Sequence, residues 1–209
     1  MASRAAAVVV AAGVAVALAT LTVDSVGAGG GGGPLLDARR SNMDVAAARA
    51  FAAFPLYSLG DSFAGLPLTS IQRVEQRATL PGEEGAPKAN FVAFGYGDCE
   101  PEPCAIPVDV QIWAACERNP SVYRFDPGGT MRIEREALTL RGVPAAYFPA
   151  DPRVELYTGT VTIVVFGAGR TQLLAAAAAL RAVNGDVGAG ERLPEPAAGA
   201  TAGLLTCAE

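Results

Sequence analysis

Hydrophobic positions change period several times along the chain. Ala5–Val23 reads AAAVVVAAGVAVALATLTV, nineteen residues without a charge. As a helix this run spans about 28 Å, close to the roughly 30 Å hydrocarbon layer of a bilayer. Gly27–Gly33 offers almost no side chain to pack and reads as a flexible tether. A helical period follows at about Met43–Phe54, with Ala47, Phe51 and Phe54 on one face. Ser41 or Asn42 can cap this helix, Asp44 suits its first turn and Pro55 stops it.

From there the period is two. Strands are predicted near Leu56–Leu59, Leu68–Glu75, Asn90–Tyr96, Pro107–Cys116, Ala137–Arg141, Ala145–Phe148, Val154–Thr158 and Thr160–Phe166. In PVDVQIWAAC, Val108, Val110, Ile112 and Ala114 face one way, and Asp109, Gln111 and Trp113 the other. Gly142 with Pro144, Asp151 with Pro152, and Gly159 supply turns. A last helix is predicted over Thr171–Val183, with Leu173, Leu180 and Val183 on a smooth, alanine-filled face and Asn184-Gly185 as its exit. The expected fold is α+β: an antiparallel β-sheet meander packed by one or two helices and preceded by an N-terminal hydrophobic helix. Residues 1–28 then form a signal peptide or a transmembrane anchor, 29–40 a Gly-rich linker, and 41–209 the folded domain.

Charge around the leading segment sets its direction. Arg4 and the amino terminus precede it and no cation directly follows, so the remainder is expected outside the cytoplasm. Val26-Gly27-Ala28 would serve as a cleavage site, and an uncleaved segment would hold the protein to the membrane. The localisation that follows is the cell membrane with the domain outside the cytoplasm, or secretion. Four cysteines, Cys99, Cys104, Cys116 and Cys207, are an even set for an oxidising compartment. They allow three pairings. The favoured one closes the turn DCEPEPC with Cys99–Cys104 and ties the Gly/Ala/Pro-rich tail to a core strand with Cys116–Cys207. The spacing has no CxxC knuckle and does not suit a zinc site.

Composition removes several chemistries. The chain has no histidine, which excludes Ser-His-Asp and Cys-His nucleophile systems and His-ligated zinc within it. The net charge of −5, with Lys88 the single lysine, argues against nucleic acid as a partner. No cofactor motif is present: Gly167-Ala168-Gly169 lacks both GxGxxG and a GK[ST] ending.

The blocks FPLYSLGDSFAGLPLT, FGYGDC, QIWAACERNP and LRGVPAAYF…VELYTGTVTIVVFG resemble a family of uncharacterised exported or membrane-anchored bacterial proteins, and the tail LLTC fits the same likeness. The resemblance spans about Ala50–Gly167. It implies location and architecture and carries no catalytic residues. The closing strand–strand–helix section is also similar to extracytoplasmic domains of sporulation or envelope-sensing type.

Four residues are candidate ligand contacts. Asp61, in a glycine-flanked loop, puts a carboxylate at a ligand mouth; the plainer assignment is a turn. Glu117 and Arg118 form a charged pair behind a strand and could hold a polar ligand or serve as a structural salt bridge. Trp113, with Tyr57 or Tyr96, offers a stacking surface for sugar or peptide or else packs in the core. Paired acids at Glu83-Glu84, Glu100 with Glu102, and Glu134 with Glu136 are the material for a two-carboxylate hydrolase, although their loop settings favour solvated surface. The leading expectation is a binding or interaction module that contacts an envelope protein or polymer. A structural envelope protein and a His-independent hydrolase are the alternatives.

Overall fold

The computed structural model describes residues 36–78, 87–98, 106–120 and 134–207. The apolar run at 5–23, the glycine tether, the Cys99–Cys104 pair and the acids at 83, 84, 100 and 102 lie outside the described residues. Among the described residues no helix is long and apolar enough to cross a membrane.

The elements are β1 (Leu36–Asn42), α1 (Val45–Ala50), β2 (Tyr57–Ser58), β3 (Ser62–Phe63), β4 (Leu66–Ala78), β5 (Pro87–Tyr96), β6 (Val108–Ala114), β7 (Glu136–Leu140), β8 (Val143–Phe148), β9 (Arg153–Thr158), β10 (Val161–Gly167), α2 (Arg170–Ala179) and β11 (Arg181–Ala182). One antiparallel sheet runs in the order β1-β4-β5-β6-β10-β9-β8-β7, and β3 adds to β4. It consists of two meanders, β4-β5-β6 and β7-β8-β9-β10, joined where β6 pairs with β10. β2 and β11 form a separate two-stranded ribbon. The fold is therefore α+β with the sheet dominant.

Alternation explains the core. Val92, Ile112, Ile163, Leu156 and Ala145 stand in successive register across five strands, all on one face and all at most 5% exposed. Phe94, Val110, Val165 and Val154 make the neighbouring row. α2 covers β9 and β10 with Leu173, Ala176 and Ala177. Its alanines bring the backbone close to the sheet, and Leu56, Leu59, Leu180 and Leu193 fill the margins.

Helix limits differ from the sequence reading in ways that tertiary hydrogen bonds explain. α1 keeps six residues, capped by the Asp44 carboxylate, which accepts from Ala47 N at 2.7 Å. The chain leaves it at Phe51, and Asn184 holds the exit. Its Nδ2 donates to Phe51 O at 2.6 Å and its Oδ1 accepts from Leu56 N at 2.8 Å. α2 ends at Ala179, because Leu180 turns extended and Arg181 and Ala182 pair with Ser58 and Tyr57. Asn184 is thus a long-range clamp and not a helix exit. β1 begins inside the stretch assigned to the linker.

Arg141 fastens the C-terminal arm. It occupies a tight β7–β8 turn with Gly142, both left-handed at φ 51° and 80°, the geometry that matches strand twist. Its Nε donates to Glu191 O at 2.6 Å, Nη1 to Leu180 O at 2.5 Å and Nη2 to Gly188 O at 2.7 Å. Leu193 N returns a bond to Arg141 O at 3.0 Å, and the Cys116–Cys207 disulfide closes the far end of the arm. Arg141→Met keeps the apolar stem and removes three bonds to carbonyls. It is expected to cost about 3 kcal/mol. Urea midpoints measure the loss, and faster exchange of the Leu193 amide places it in this arm.

Candidate functional site

Two regions hold the polar side chains singled out above, and they lie on opposite faces of the sheet. The first is a line of charges and rings across the face away from α2. Trp113 stacks on Phe91 with ring centroids 4.2 Å apart, and the Arg118 guanidinium lies 5.2 Å from the Trp113 ring. Arg118 reaches Glu155 at 2.5 Å, and Arg153 Nε donates to the same carboxylate oxygen at 3.0 Å. Tyr157 OH donates to the other oxygen at 3.2 Å. Arg153 also pairs with Asp151 and sits 4.0 Å over the Phe148 ring. Glu155 is fully buried and both its carboxylate oxygens are hydrogen-bonded within the network, so its charge is held internally.

Strand alternation builds a second relay beside it. Asp109, Gln111 and Trp113 share one face of β6. Trp113 Nε1 donates to Gln111 Oε1 at 3.1 Å, and Gln111 Nε2 donates to Asp109 Oδ2 at 2.7 Å. Burial raises the Asp109 pKa above its ordinary 3.8, against the lowering effects of Gln111 and Arg40. A carboxyl raised in the folded state binds its proton more tightly there than in the unfolded chain. Its contribution to stability is present below pH 3.8 and lost as pH rises through the folded value. Asp109→Asn is therefore expected to stabilise the protein at neutral pH and to flatten this part of the stability–pH curve. Unfolding midpoints between pH 3 and 8 measure both.

Glu117 and Arg118 divide between different partners. While Arg118 reaches Glu155, Glu117 Oε2 accepts from Asn90 N at 2.5 Å and ties the turn after β6 to β5. Burial raises the Glu117 pKa as well, and the Asn90 bond opposes it. Trp113, Glu117 and Arg118 thus knit strands together, and none of them borders the cleft described next.

That cleft lies between α1 and β4. Two concavities, of about 560 and 210 Å³, share Val45, Leu68 and Ile71 in their walls. The larger follows Leu68–Gln72 of β4; the smaller is bordered by Arg49, Ser58, Asp61 and Arg181. Asp61 is the one sequence candidate at this cleft. Its side chain is exposed at the rim, and its carbonyl accepts from Leu68 N at 2.9 Å.

The floor of the smaller concavity is fixed. Tyr96 is buried beneath it, with its hydroxyl accepting from Leu59 N at 2.8 Å and donating to Gly60 O at 3.1 Å. Burial raises its pKa, so it stays a neutral donor. Gly60 has φ +86°, and a Cβ there would stand 2.9 Å from the Arg181 guanidinium carbon. Glycine thus permits both the turn and the close approach of Arg181, whose Nη2 donates to Leu59 O at 3.3 Å. Arg49 and Asp61 are in no ion pair among the described residues. Among the described residues the rim therefore presents two guanidiniums and one carboxylate on a hydrogen-bonded base, with the buried Ser58 hydroxyl accepting from Gly60 N at 3.2 Å behind them.

Arg49, Ser58 and Arg181 were not singled out in the sequence. Arg181 falls within a predicted helix, and only the β11–β2 pairing brings it to Asp61. Among the described residues no group of three or more Asp, Glu or Cys is placed to hold a metal ion. Glu136 is taken by Arg170 at 2.8 Å on open surface.

No protein family, curated protein or solved structure matches the chain.

Proposed function

We propose that the chain is exported, either secreted or held to the membrane by its leading apolar segment, and that its domain is a binding module for a polar ligand of the cell envelope. The observation that carries the binding half is the α1–β4 cleft, where charged groups stand on a hydrogen-bonded floor. Such preorganisation lowers the ordering cost of capture. The Cys116–Cys207 bond supports an oxidising location. Hydrolysis by paired acids would need a second carboxylate facing Asp61. Among the described residues the other carboxylate bordering the cleft, Asp44, is engaged in capping α1.

The test is hydrogen-exchange mapping of the full chain against panels of short peptides and glycan fragments. Protection at Leu68–Gln72 is the expected result. Asp61→Asn and Arg49→Gln, both at exposed positions, should change affinity about ten-fold with unchanged melting temperature. Ligand-induced protection confined to the Trp113 face would overturn the assignment of the cleft. For location, the intact mass of the native protein reports whether 1–28 are retained, and four free cytosolic thiols would end the export reading.

A further inference from the structure

Resting on that reading, we infer that the ligand is a short peptide, bound as an extended strand with its free α-carboxylate against Arg49 and Arg181. The outer edge of β4 is paired in two pieces. β1 covers it from Gln72 to Ala78, and β3 covers Leu66 and Pro67. The flanking bonds are Met43 N to Ile71 O at 2.8 Å and Leu68 N to Asp61 O at 2.9 Å. Between them neither strand continues, because β1 turns away at Met43 into α1 and β3 has only two residues. Leu68–Ile71 is that interval, and it is where the two concavities share walls.

An interval of this kind suits a peptide backbone. Met43 and Asp61 already stand opposite the interval's two ends, and three steps along a strand cover about 10 Å, so two ligand residues, opposite Thr69 and Ser70, fit between them. Main-chain bonds to a sheet edge supply affinity without a demand on side chains. Direction follows from charge. β1 runs antiparallel to β4, from Ala78 toward Gln72. A ligand that prolongs this direction carries its C-terminus toward Leu68, where the smaller concavity presents Arg49 and Arg181. Two guanidiniums match one carboxylate, and its charge-assisted bonds are stronger than those of an amide. Asp61 at the same rim repels a second anion, so an acidic last residue is disfavoured.

The probe is N-acetyl-di-alanine with a free carboxylate, set against its C-terminal amide, on the full disulfide-bonded chain. The acid should bind at least about ten-fold more tightly than the amide. It should protect amides within Thr69–Ile71. Arg49→Gln should bring the acid down toward the affinity of the amide, and a glutamate in the last position should weaken binding. N-methylation of the probe's Ala–Ala peptide bond should weaken it further, a readout independent of protein folding. Equal binding of acid and amide would overturn terminus capture. If both peptides fail while a glycan fragment protects the cleft, the peptide assignment is wrong and the binding reading stands. If no probe perturbs the cleft, both fall.

Discussion

Replacing Glu155 with alanine is expected to cost about 3–5 kcal/mol, the range for removing one partner from a buried ionic group. Glu155 has no exposed surface, and Arg118, Arg153 and the Tyr157 hydroxyl converge on it. Alanine leaves a cavity and takes away the anion shared by two guanidiniums. Arg153 retains Asp151, which is largely exposed and a weaker partner. Glu155→Gln keeps the shape and one acceptor and should cost less. Replacing Glu155, Arg118 and Arg153 together by apolar residues of similar volume should recover much of the alanine loss, because the desolvation cost of the ions vanishes with them. Denaturant midpoints at constant slope measure the series. A loss below about 1 kcal/mol for the alanine variant would mean that solvent reaches the pair, and the network would not be internal.

Breaking Cys116–Cys207 is the second large effect. The bond spans 91 residues, from the end of β6 to the last described residue. Loop-closure entropy for that span stabilises by about 4–5 kcal/mol. Cys207→Ser, or reduction of the native protein, should lower the unfolding midpoint accordingly. Cys207 is exposed, so reduction should not require prior unfolding. The arm keeps other contacts, including Thr158 Oγ1 to Pro194 O at 2.7 Å and Ala197 N to Gly159 O at 2.7 Å. Residues beyond Gly199 should therefore loosen first, and residues 182–197 should hold. A change under about 1 kcal/mol would show that these contacts suffice without the crosslink.

What could be read in advance was local in origin. The alternation Val108, Val110, Ile112 marks β6 and its buried face because one face meets the core. The run TVTIVVF marks β10, and glycines mark the β7–β8 and β9–β10 turns. What escaped depends on distant partners. β1 has no apolar rhythm of its own and is extended because β4 offers an edge. The end of α2 is decided by β2, more than 120 residues earlier. The pairing of β6 with β10, which turns two meanders into one sheet, follows from no spacing in the chain. The cleft is hidden for the same reason: Arg49 comes from α1, Asp61 from the β2–β3 loop and Arg181 from β11, and no motif links them. Trp113 and Arg118 stood out through residue type, yet residue type does not separate a binding surface from a ring stacked on Phe91.

The junction between the two meanders bears on how the molecule survives damage. β1 to β6 lie before it in the chain and β7 to β10 after it, and Cys116 and Cys207 stand on either side. A protease that cuts the backbone between Cys116 and β7 releases nothing: a seven-residue ladder and one sulfur–sulfur link still hold the pieces together. That arrangement turns a severed chain into a two-piece molecule with its cleft whole, since Arg181 returns to its place through β11 with the second piece.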